Sequence, residues 1–251
     1  MSRTVKVRNM ILGEGRPKIC VPLTDTDTEG LKQSAAMVKD VPFDFVEWRA
    51  DFFKGATDPA ECRKAMEILR GCLGDTPILF TIRTSVENGM LRIDTDSYAE
   101  CLIHAAESGL IDMVDVELSR GEDTMTTITE AAHAAGVRVI ASRHDFSGTP
   151  DPSEIIKSLC TMQKLGADVA KFAVMPRCER DVLNLLDATL TMKEEHPDTP
   201  VITMSMGSMG SVSRICGELF GSCVTFGTVT KASAPGQLPA DTLSLFLKSL
   251  H

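Results

Sequence analysis

Short apolar runs alternate with amphipathic helical stretches eight times along these 251 residues, and that alternation constrains the fold more than any single motif. The runs fall at 19–23, 43–49, 77–83, 113–117, 137–142, 166–176, 201–206 and 223–226. Helical segments follow each, over 28–39, 58–72, 96–108, a stretch ending at Gly136, 151–165, 179–195, 212–219 and a last one beginning near Pro239. Asp58-Pro59 is a start signal, because a first-turn proline lacks only an N–H that would find no helical partner anyway. Gly109 is a stop signal. Strands that each precede a helix must run parallel, with the helices outside. Eight such units in this length predict an α/β chain folded as a closed (β/α)8 TIM barrel. An open doubly wound sheet normally carries a glycine-rich phosphate turn after its first strand, and Pro22-Leu23-Thr24-Asp25 is not one. Ahead of the barrel, residues 5–12 alternate before Gly13 and Gly15 and read as a short N-terminal β-ribbon. No linker or composition shift divides the chain, so residues 1–251 are expected to form a single barrel domain.

Polar residues interrupt these strands in phase. Residues two apart share a strand face, so Glu47 goes with Arg49, Thr81 with Arg83, Asp115 with Glu117, and Ser142 with His144. Lys171 shares its face with Val169 and Ala173, while Ala170, Phe172 and Val174 form an apolar face suited to helices. Five strands thus carry polar groups toward one side, near their C-terminal ends, which is where active sites sit in such barrels. A buried ammonium is costly unless paired or deprotonated. Taken alone, Lys171 fits a paired structural lysine, or one whose head reaches water. The sharper reading is an amine nucleophile that forms an imine with a carbonyl compound. His144, expected just past the fifth strand, suits general acid–base work or a structural hydrogen bond. Arg214, expected near the start of a helix, suits an anionic ligand or a surface ion pair. The Pro-Gly loop over 232–237 suits a lid.

Composition narrows the classes. A net charge of −9 argues against nucleic acid or an anionic membrane as the main partner. The eight cysteines include no Cys-x-x-Cys pair and no zinc-like Cys/His spacing, which predicts free thiols in a reducing cytosol. Residues 1–7 lack the apolar core of a signal peptide, and no run is long enough to span a bilayer, so a cytoplasmic location is expected.

Several stretches, in this order, carry a family pattern: Glu47-Trp48-Arg49-Ala50-Asp51; Phe80-Thr81-Ile82-Arg83; His144-Asp145-Phe146; the lysine stretch through Val174-Met175-Pro176; Thr203-Met204-Ser205-Met206-Gly207; Ser213-Arg214; and Ser233-Ala234-Pro235-Gly236-Gln237. Together they resemble the type I 3-dehydroquinate dehydratases, Schiff-base hydro-lyases of the shikimate pathway. The resemblance implies a homodimer without metal or organic cofactor. It implies dehydration of 3-dehydroquinate to 3-dehydroshikimate, the third step toward chorismate and the aromatic amino acids. Lys171 would form the imine with the C3 ketone, His144 would move protons at C2 and C1, and Glu87 would support the histidine. Glu47, Arg49 and Arg83 would contact substrate hydroxyl and ketone regions, and Arg214 would clamp the carboxylate. Ser233 and Gln237 would belong to the closing loop, with Met204, Met206, Phe226 and Ala234 forming the pocket wall. Pro22 departs from the pattern, where many relatives have a small hydroxyl residue. Asn88-Gly89 replaces a frequent glycine pair, and Arg143 precedes the histidine at a variable position. A class I Schiff-base aldolase on the same barrel is the alternative; its nearest candidate phosphate cradle is Gly207-Ser208-Met209-Gly210. A non-catalytic binding barrel is a third reading.

Overall fold

The computed structural model describes residues 4–229 and 231–251, so the first three residues of the N-terminal reading lie outside the described residues. A two-stranded antiparallel hairpin, β1 (Val5–Val7) and β2 (Met10–Leu12), comes first. The alternating pattern then appears as β3 (Lys18–Leu23), α1 (Thr28–Met37), β4 (Phe45–Arg49), α2 (Pro59–Leu73), β5 (Ile78–Thr81), α3 (Thr95–Glu107), β6 (Met113–Glu117) and α4 (Glu122–Ala134). It continues as β7 (Arg138–Asp145), α5 (Pro152–Lys164), β8 (Val169–Val174), α6 (Glu179–Glu195) and β9 (Val201–Ser205). Two short helices, α7 (Ser211–Ile215) and α8 (Gly217–Phe220), precede β10 (Val224–Thr228), the two-residue β11 (Leu238–Pro239) and α9 (Ala240–Leu250).

The strands pair in parallel from β3 in sequence order to β9, and β10 pairs back onto β3, so the sheet curls into the (β/α)8 barrel. Asp27, Asp58 and Asp94 start α1, α2 and α3 by accepting bonds from first-turn N–H groups that have no helical acceptor. The β9–β10 seam is different from the other junctions. It consists of one bridge, Val201 to Ser222, and a bond from Cys223 N–H to Val201 O. There the Ser222 hydroxyl accepts from Thr203 N–H at 3.1 Å and stands in for a ladder bond.

Alternation sorts the side chains into two cores. Outward residues such as Val46, Trp48, Val114, Ala170 and Phe172 pack under the helices. Trp48 meets Phe53 and Phe80 edge-on, with ring centroids 5.8 and 5.4 Å apart. Inward residues Phe45, Leu79, Met113, Ile140, Val169, Ile202 and Val224 fill the lower barrel, capped by Val5, Val7, Met10 and Leu12 of the hairpin. Above this apolar floor the inward positions turn polar.

Two expectations are corrected. His144 is not past its strand: β7 runs on to Asp145, because His144 and Asp145 pair with Ala173 and Val174 of β8. The single helix expected over 212–219 is two helices, broken between Ile215 and Gly217.

Candidate active site

Register brings the in-phase polar residues together. Ser142 lies directly opposite Lys171, Glu117 opposite Ser142, and Asp115 opposite Thr81, so β5, β6, β7 and β8 bring their polar groups to the same end of the barrel interior. Lys171 is 3% exposed. Its Nζ donates to Asp115 Oδ2 at 3.0 Å, stands 3.8 Å from Glu47 Oε1, and lies 4.6 Å from the centre of the Phe226 ring. Glu47 is fixed in turn by the Thr81 hydroxyl, 3.0 Å away.

Arg83 is the hub of the charged layer. Its guanidinium donates to Asp115 (2.7 Å), Glu117 (2.9 Å), Glu87 (3.3 Å) and the Ser142 hydroxyl (3.0 Å). Burial alone would lower its pKa, but Asp115, Glu117 and the other carboxylates outweigh burial and raise it. Burial likewise works to raise the Asp115 carboxyl, yet Arg83 and then Lys171 overcome it and hold that group well below the usual carboxylate range. Glu87 and Glu117 go the other way, pushed up by burial despite Arg83.

His144 Nδ1 is 2.8 Å from Glu87 Oε2. That oxygen also accepts from the His144 backbone N–H at 3.0 Å and from Arg83, so it acts as an acceptor and Nδ1 carries the hydrogen. The lone pair is then on Nε2. Burial, and after it the positive charges of Arg83 and Lys171, push the imidazole well below its ordinary pKa and keep it neutral. Glu87 is set at this point by the turn behind it. Asn88 adopts the left-handed conformation at φ 61°, and a Cβ on Gly89 would lie 1.8 Å from Arg83 O, which only glycine avoids.

Two further arginines border the loop after β10. Arg49 is bound by both oxygens of Asp51, at 2.7 and 2.8 Å, and reaches Ser233 O at 3.5 Å. Arg214 requires a correction. It lies in the last turn of a five-residue helix rather than at a helix start, so the helix-dipole argument for an anion does not hold there. It is 2% exposed and no carboxylate among the described residues lies within ion-pair distance. Its Nη2 donates to Pro235 O at 3.0 Å, its Nη1 sits 3.7 Å from the Met204 sulfur, and burial brings its pKa down to about 10. Within the loop, Ser233 and Gln237 bond to each other twice.

A cleft of about 480 Å³ opens over this layer. Glu47, Arg49, Arg83, Glu87, His144, Lys171, Met204, Met206, Phe226, Ser233, Ala234 and Gln237 line it, whereas Arg214 lies behind Met204. Asn88, Phe146 and Ala173 also line it and were not singled out as site residues from the sequence. Asp51, Asp115, Glu117 and Ser142 were missed too, although each sits within a quoted motif or the in-phase pattern. Pro22 is buried in β3 opposite Glu47. Arg143 points away from the barrel interior, to the Ser158 hydroxyl and the Phe172 ring. Among the described residues no group of three or more His, Cys, Asp or Glu is arranged to hold a metal ion.

The chain is 45% identical over 251 residues to the 3-dehydroquinate dehydratase of Clostridioides difficile, covering all of this chain and 98% of that one. It is 46% identical to the Bacillus licheniformis enzyme of the same name, covering 100% and 99%. A crystal structure of type I 3-dehydroquinate dehydratase from Clostridium difficile, with covalently modified comenic acid, superposes with a TM-score of 0.97, covering 100% of this chain and 99% of that one. The Geobacillus kaustophilus 3-dehydroquinate dehydratase gives 0.96 at 37% identity, covering 100% and 98%. A 3-hexulose-6-phosphate synthase from Salmonella typhimurium, at 18% identity and a TM-score of 0.61, shares the fold alone. The sequence model of the type I 3-dehydroquinases matches residues 19–251, the whole barrel from its first strand to the last residue, and the chain belongs to that family.

Proposed function

We propose that Lys171 is the imine-forming nucleophile of this 3-dehydroquinate dehydratase and that His144 moves its protons. One observation carries the reading: a buried lysine amine and a histidine kept neutral by burial and oriented by Glu87 line the same cleft. Elimination of water next to a ketone needs an acidified C–H and an electron sink. The Lys171 amine adds to the C3 carbonyl, and loss of water leaves a protonated imine. His144 Nε2 takes the C2 proton, and the electron pair flows into the imine to give an ene-amine. The C1 hydroxyl then leaves as water with a proton returned by His144. Hydrolysis of the imine consumes one water and releases 3-dehydroshikimate and the free amine, so the net change is loss of one water.

The remaining residues supply binding. Arg214 is a cation removed from water with no carboxylate partner among the described residues, which supports a role as clamp for the substrate carboxylate, reached when the ligand displaces the Pro235 carbonyl. Glu47, Arg49, Ser233 and Gln237 offer partners for hydroxyls, and Met204, Met206, Phe226 and Ala234 an apolar wall for the ring. Arg83 already serves four protein acceptors, so its contribution is chiefly to fix the carboxylates around it. The aldolase alternative loses its phosphate cradle. A Cβ on Gly236 would meet Gly207 O at 2.2 Å, so the loop backbone packs onto the Gly207–Gly210 turn where a phosphate would sit.

The test is borohydride reduction in the presence of 3-dehydroquinate. Wild-type chain should gain a covalent adduct on Lys171, and Lys171→Ala should neither form it nor turn substrate over. Full activity in that variant, or an adduct on another residue, refutes the assignment. We take residues 1–251 as one folding unit acting in the cytosol; no described helix is long and apolar enough to cross a membrane. A homodimer is supported by exposed Leu219, Leu245 and Leu250 on α8 and α9, whose ends meet through His251 and Glu218. Sedimentation at a monomer mass would refute it.

A further inference from the structure

We propose that Asp115 is a positioning residue for Lys171: it holds the amine in line for attack and then serves as the fixed counter-charge of the protonated imine. The proposal rests on the imine reading above. Asp115 is fully buried and splits its two oxygens between different tasks. Oδ1 accepts from Arg83 at 2.7 Å and from the Ser142 hydroxyl at 2.5 Å, which anchors the carboxylate to β7 and to the segment just after β5. Oδ2 is left for Lys171 alone, at 3.0 Å. Glu47 stands farther off, at 3.8 Å, and its near oxygen is already taken up by Thr81. A lysine side chain has several rotatable bonds, so an amine that must reach one carbonyl carbon needs an anchor at its tip.

The chemistry asks for a carboxylate that stays a carboxylate. The protonated imine is useful only while it keeps its positive charge, so its neighbour must attract the proton without taking it. Arg83 and Ser142 keep Asp115 ionised and correctly aimed through the cycle, whichever state Lys171 is in. Proton transfer is thereby confined to His144, on the next strand toward the cleft mouth. Glu87 steadies the histidine, Asp115 steadies the lysine, and Arg83 touches both carboxylates.

The experiment compares Asp115→Asn and Asp115→Glu with wild type. Asp115→Asn should lose about 30-fold in kcat, the equivalent of one hydrogen bond to a charged group. Its KM should move by less than about threefold, since the interaction is absent from ground-state binding. Borohydride trapping on Lys171 in a single turnover should slow with kcat, and Asp115→Glu, which keeps the charge, should recover part of both. Wild-type kcat and trapping in the Asn variant overturn the proposal. So does a loss that is equal in Asn and Glu and accompanied by a matching rise in KM, which marks a merely structural role. If Asp115→Asn fails to fold, Ser142→Ala removes only one anchor of Oδ1 and should lower kcat several-fold at constant KM; an unchanged kcat overturns the proposal. Failure to trap any adduct on the wild-type chain is a separate result, which refutes the imine reading itself.

Discussion

The neutral state of His144 predicts a specific pH dependence of stability, which His144→Asn should remove. The side chain is 12% exposed, and burial, then Arg83 and Lys171, depress its pKa in the folded chain. In the unfolded chain it titrates near 6.5. Below that value the unfolded chain binds a proton that the folded chain refuses, so stability falls as pH falls, by up to about 1.4 kcal/mol per pH unit. Integrated from about pH 7 to about pH 5.5, with the folded imidazole still neutral, the loss is about 1.3 kcal/mol. Asparagine keeps an N–H near the position of Nδ1, so the bond to Glu87 survives while the titration disappears. Guanidinium unfolding of both proteins across this range should give curves that diverge by about 1.3 kcal/mol toward acid, or about 3–5 °C in melting temperature for a chain of this size. Parallel curves would mean that His144 takes up its proton in the folded state. The histidine would then be unavailable as a base at the acid end, and the acid limb of kcat/KM would have to move up accordingly.

Arg214→Ala should raise KM for 3-dehydroquinate by about 10- to 150-fold, the range for one buried charged hydrogen bond, with a smaller effect on kcat; initial-rate kinetics showing an unchanged KM would remove Arg214 from the carboxylate clamp. Gly236→Ala should weaken substrate retention while leaving the barrel folded, because φ is +75° there and the new Cβ would meet Gly207 O at 2.2 Å. Limited proteolysis should then cut the loop faster than in wild type, and an equal cutting rate would refute the packing argument.

The fold was legible where periodicity and caps agree. The bounds 113–117 and 179–195 needed no adjustment, since an unbroken strand run and a helix with polar flanks leave little choice. The fifth barrel strand was too short by three residues because Arg143, His144 and Asp145 carry no apolar signal; only the ladder with β8 makes them strand. The phase of the polar residues identified the face but not the partners. Whether Lys171 meets Asp115 or Glu117 depends on the stagger between β6, β7 and β8, which no single strand encodes. The helix position of Arg214 differs from the expected one for a related reason. Residues 212–219 have helical composition, and the break at Gly217, whose close neighbour is Ser222, is a tertiary matter.

The seam between β9 and β10 gives the cleft two unlike walls. On one side, Glu47, Arg83, Asp115, Glu117 and Lys171 are cross-tied through charged bonds spanning five strands. On the other, Met204 of β9 and Phe226 of β10 flank a junction closed by a serine hydroxyl and a single bridge. Amide protons along that junction should exchange with deuterium sooner than those of β6 to β8, since fewer ladder bonds must break. Methionine adds a flexible, polarizable surface at the same place. The proposed reacting groups are thus held on the braced side, while the compliant side can follow the ring as it flattens from ketone to conjugated enone.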